Sequence, residues 1–172
     1  MKVIKAEDVP TSKNEEQVID QKKVEELREK FDILQAQLNE KEYGVALNKE
    51  QTDFLFNEFY GNVSWKGYES YAISETYDKL HSKVKKDELN ASFSVEIIEA
   101  TFHFLKNYIG SGSKAAKVFR QLCDQFAVPM QEINNDRQQL KDLSLELVAT
   151  EQGISVETLV EGLKRENPSF RG

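Results

Sequence analysis

The stretch Val24-Glu25-Glu26-Leu27-Arg28-Glu29-Lys30-Phe31-Asp32-Ile33-Leu34-Gln35-Ala36-Gln37-Leu38 decides the fold class. Val24, Leu27, Phe31, Leu34 and Leu38 follow one another at spacings of 3, 4, 3 and 4, which lines them along one stripe of an α-helix. Glu25, Glu26, Arg28, Glu29, Lys30 and Asp32 fill the other faces, as water requires. The stripe covers only about two heptads, because Gln17, Asp20 and Lys41 interrupt it, and a free-standing coiled coil needs more. It therefore predicts one long amphipathic helix, between about Asn14 and Glu42, that packs in a bundle or is offered to a partner.

The same reading extends along the chain. Gly44 is the expected stop of the first helix, and Tyr43 to Leu47 read as an extended connector or one short strand. Asn48 and Gln51 have the spacing of a capping box for a helix from Lys49 to about Tyr60, with Gly61 and Asn62 as its stop. Ile73, Tyr77, Leu80 and Val84 line a third helix from Tyr68 to Lys86. Ser94 caps a fourth, Val95 to Ile109, with Ile97, Ile98, Phe102 and Leu105 inward and Phe104 and Tyr108 on a second edge. Lys114 to Phe126, Met130 to Gln152 and Val156 to Glu166 complete the set, separated by Pro129 and Gly153.

The expected fold is all-α, a multi-helix bundle with a long N-terminal helix and C-terminal helical hairpins. Its expected organisation is a flexible arm at 1–13, a helical domain with an aromatic core at 14–109, a Gly-Ser-Gly-Ser linker at 110–113 and a hairpin subdomain at 114–172.

Composition narrows the chemistry. The 172 residues carry 23 Lys and Arg against 30 Asp and Glu, a formal charge of −7. That excess of acid opposes binding to phosphate backbones and anionic lipid, so neither nucleic acid nor membrane is an expected partner. No proline stands between Pro10 and Pro129, which disfavours a turn-rich β-sandwich or barrel. Cys123 is the one cysteine, so no internal disulfide or cysteine metal cage is possible. No apolar run is long enough for a membrane span and the N-terminus shows no signal-peptide core, so the expected location is the cytoplasm or an intracellular or viral assembly.

The search for reactive constellations yields no catalytic residue, cofactor site or metal site. His81 and His103 lie 22 positions apart in no ligand pattern. Cys123 stands beside Asp124, which raises a thiol pKa. Gly110-Ser111-Gly112-Ser113-Lys114 lacks the spacing of a phosphate loop and has no preceding strand. The basic run Lys79, His81, Lys83, Lys85 and Lys86 reads as the solvated end of a helix.

Two patterns point to binding instead. Phe54, Phe56, Phe59, Tyr60, Trp65, Tyr68, Tyr71 and Tyr77 crowd into one segment, large enough to nucleate the core. Trp and Tyr also anchor interfaces, so Tyr60, Trp65, Tyr68 and Tyr71 are candidates for a recognition surface. The second pattern is helix-turn-helix-like. Val148, Ala149, Gly153, Ile154 and Leu159 match the layout of Leu122, Cys123, Ala127, Val128 and Ile133, 26 residues upstream, with Ser155 aligned to Pro129.

The expected function is a non-catalytic interaction or assembly subunit, of a virion or another large complex. Its partner-binding residues are Val24, Leu27, Phe31, Leu34, Leu38, Trp65 and Tyr68, and its partners are other proteins or a second copy through the N-terminal helix. The alternative is an acidic DNA-associated regulator reading bases with Gln131, Asn134, Asn135, Arg137 and Gln138, against which Glu132 and Asp136 count.

Overall fold

The computed structural model describes residues 19–84 and 90–169. The expected arm at 1–13, the residues Lys85 and Lys86 of the basic run and the last three residues of the tail lie outside the described residues. Within them the fold is all-α with one small sheet, in the order α1 (Gln21–Glu40), β1 (Glu42–Ala46), α2 (Lys49–Phe54), a π-turn (Leu55–Phe59), α3 (Tyr60–Asn62), a 3-10 turn (Gly67–Glu69), α4 (Ser70–Lys83), β2 (Asn90–Ser94), α5 (Val95–Asn107), α6 (Ser113–Glu151) and α7 (Val156–Glu166).

The chain divides into two compact units, Lys30–Asp142 and the pair of segments Met1–Glu29 and Leu143–Gly172. The Gly110–Ser113 connection falls inside the first of these.

In the Lys30–Asp142 unit, β1 and β2 pair antiparallel, Tyr43 opposite Phe93 and Val45 opposite Ala91. Alternation puts Tyr43, Val45 and Phe93 on the buried face. Gly44 is a strand residue opposite Ser92, and α1 has already ended at Glu40, so glycine does not terminate that helix. Asn48 and Gln51 form the expected reciprocal cap, Asn48 N–H to Gln51 Oε1 at 2.9 Å and Gln51 N–H to Asn48 Oδ1 at 2.8 Å. The core draws on α2, the π-turn, both strands, α4, α5 and α6, with Phe59, Leu80, Phe93, Ile98, Leu105, Leu122, Phe126 and Ile133 essentially removed from water.

Pro129 does not break the chain. α6 runs through it as one helix of 39 residues, so the hairpin expected at 122–133 is absent and the upstream copy of the helix-turn-helix pattern is not a hairpin. Two features explain this. Ala127 stands where the downstream copy has glycine, and its Cβ disfavours the left-handed turn, which among the described residues only Gly112 and Gly153 adopt. Pro129 also occupies the same buried stripe as Leu122, Phe126 and Ile133. Burying that ring offsets the roughly 3 kcal/mol that proline costs inside a helix.

The second unit holds the start of α1, the end of α6 and α7. Asp20 caps α1, accepting from the Lys23 N–H at 3.1 Å. Val24, Leu27, Ala149 and Leu159 form its buried apolar set, flanked by ion pairs of Lys23 with Glu146 at 3.4 Å and Arg28 with Glu151 at 2.6 Å. Here the expected hairpin exists. Gly153 has φ +65°, its N–H donates to Thr150 O and the Ile154 N–H donates to Ala149 O, the paired bonds of a Schellman stop. Ser155 then caps α7, accepting from the Thr158 N–H at 3.2 Å.

Candidate functional site

The aromatic segment starts with a helix that widens. Tyr60 N–H donates to Leu55 O, five residues back, so Leu55–Phe59 form a π-turn between α2 and α3. The extra residue sets Phe54 and Phe59 on the core side together, both buried, and leaves Phe56 and Tyr60 half-buried. Phe56 meets Tyr77 edge-on at 5.6 Å and His81 at 5.0 Å, Tyr60 meets Tyr77 at 5.3 Å, and His81 stacks on Tyr77 at 5.6 Å. Burial pushes the Tyr60 phenol up to about 12. Its hydroxyl lies 3.4 Å from Oγ1 of the buried Thr101.

Between α3 and α4 these rings line a groove of about 340 Å³ whose walls are Phe56, Tyr60, Gly61, Ile73, Ser74 and Tyr77. The segment that joins its two walls carries Trp65 and Tyr68, and Tyr71 opens α4 one turn before Ser74. Trp65 is 56%, Tyr68 77% and Tyr71 86% exposed, so the three are surface residues rather than core. No ring contact joins any of the three to another aromatic among the described residues. The turn that carries Tyr68 is closed by its own bonds. Lys66 N–H donates to Glu69 Oε2 at 2.8 Å, Glu69 N–H to Lys66 O at 2.8 Å, and Ser70 Oγ to Gly67 O at 2.9 Å.

The residues of the N-terminal stripe are placed differently. Val24 and Leu27 are each 5% exposed, covered by the chain itself, while Phe31, Leu34 and Leu38 are half-buried. Ile33, off the stripe, is the exposed apolar residue of that stretch.

Gln131, Asn134, Asn135, Arg137 and Gln138 are all exposed on α6. Arg137 nevertheless spends its guanidinium on a two-pronged pair with Glu99, and Gln138 donates to Asp142 at 2.7 Å. That helix face alternates sign, and its one arginine already holds a carboxylate.

A cleft of about 560 Å³, absent from the expectations above, is lined in part by this pair. Lys41 Nζ sits 2.6 Å from Asp136 Oδ2 and 2.9 Å from Glu132 Oε1, and the Tyr43 hydroxyl donates to Asp136 Oδ2 at 2.7 Å. The hydrogen bonds to Asp136 and Glu132 raise the Lys41 pKa. Burial, and then the hydrogen bond to Asp136, push the Tyr43 phenol up to about 12. Burial alone would raise the Asp136 carboxyl, but the bonds from Lys41 and Tyr43 outweigh it and hold it below the usual carboxylate range. Lys41, Tyr43 and Asp136 are each shifted away from neutral pH, so the cluster is a clamp between the start of the sheet and α6.

The remaining chemistry-bearing residues are scattered. His103 is exposed, 3.9 Å from Glu69, with Asn107 Nδ2 at 3.2 Å. Cys123 is half-buried, and burial with Asp124 raises its thiol pKa. A broad cavity of about 830 Å³ between α2 and the start of α6 is lined by charges of both signs, Lys49 and Lys114 with Glu50, Asp53 and Glu58. No described group of His, Cys, Asp and Glu is arranged to hold a metal, and no described helix is long and apolar enough to cross a membrane. Comparison with known proteins finds no matching family, curated protein or solved structure.

Proposed function

We propose that this chain is a non-catalytic interaction or assembly subunit that engages a protein partner through Trp65, Tyr68 and Tyr71. The observation that carries the reading is the exposure of three large aromatics within seven residues, the central one on a turn closed by its own hydrogen bonds. Leaving such rings in water forgoes the free energy that burying them would yield, and Trp and Tyr are the residue types that dominate binding hot spots.

The reading relocates the contact relative to the sequence expectation. Val24 and Leu27 are consumed inside the chain, so the N-terminal helix offers a partner less than its stripe suggests. The DNA-binding alternative loses its hairpin and its free arginine.

The test is a triple substitution, Trp65→Ala, Tyr68→Ala and Tyr71→Ala, at sites exposed enough to leave the fold intact. Proteins recovered in fixed ratio with the unaltered chain from its native extract should be lost with the variant, while far-UV circular dichroism stays the same. Equal recovery by both forms removes the proposal.

A further inference from the structure

We draw no further inference here: the strongest candidate, the cavity of about 830 Å³ between α2 and the first turn of α6, is lined by Lys49 and Lys114 together with Glu50, Asp53 and Glu58, so neither its charge nor anything else in the structure shows what would fill it.

Discussion

Replacing Tyr43 with Phe removes one hydroxyl from the clamp that ties β1 to α6, and the structure sets both the size and the pH dependence of the loss. Tyr43 is 2% exposed, and its hydroxyl donates at 2.7 Å to the Asp136 carboxylate, itself shielded with 14% of the side chain exposed. A hydrogen bond to a charged, shielded acceptor contributes about 1.5–3 kcal/mol, so Tyr43→Phe should lose that much at pH 7. The alkaline range gives a second signature. The folded phenol sits at about 12, raised by burial and by the Asp136 carboxylate, against an ordinary value of 10.0. A group whose pKa rises on folding stabilises fully below the unfolded value and loses that contribution as pH climbs through the folded one. Two pH units correspond to about 2.7 kcal/mol, of which about 1.4 kcal/mol is gone by pH 11. Urea denaturation from pH 7 to 11, followed by circular dichroism, should show the unaltered chain losing this increment and Tyr43→Phe lacking it. Tyr60 also stands at about 12, so Tyr60→Phe must be measured in parallel to separate the two shares. An unchanged midpoint at pH 7 together with an unchanged alkaline slope would refute the clamp.

The other expectations concern stability and need only denaturation curves. Asp136→Asn should flatten the acid side, because a carboxyl held below its ordinary value stabilises above that value and stops doing so as pH falls through the folded one; an unaltered acid midpoint would contradict this. Leu122→Ala, at a site with no exposure, should cost about 2–5 kcal/mol, and a loss under 1 kcal/mol would show that α6 is not packed as described. Gly153→Ala forces a side chain into φ +65° at the Schellman stop and should cost about 1 kcal/mol, whereas Gly61→Ala, with open space around it, should cost less.

Local rules made most of the helices readable. The 3, 4, 3, 4 spacing of α1, the Asn48–Gln51 box and the Gly153–Ser155 stop are each written within a few residues and each is found in the fold, although α1 starts at Gln21 behind its Asp20 cap rather than near Asn14. What failed depends on distant chain. Asn90-Ala91-Ser92-Phe93-Ser94 has weak strand character, and becomes β2 because Tyr43 and Val45 lie opposite it. Pro129 reads as a breaker by propensity, yet its ring completes a buried stripe that only the folded core supplies. The Lys41, Tyr43 and Asp136 clamp joins residues 95 and 93 positions apart, so no window of sequence contains it. The aromatic segment is the intermediate case. Composition singled out Trp65 and Tyr68 as contact residues, but the same composition suits a core, and only their exposures of 56% and 77% separate the two.

The most direct measurement places a photoreactive phenylalanine at position 71 of the full-length chain and, as a control, at exposed position 139 on α6, and irradiates each in the native extract. A discrete adduct of one mass from position 71, with none from 139, is the outcome required if the aromatic surface meets a partner. Illumination that leaves position 71 uncoupled, or couples both sites alike, would mean those three rings face water for some other reason.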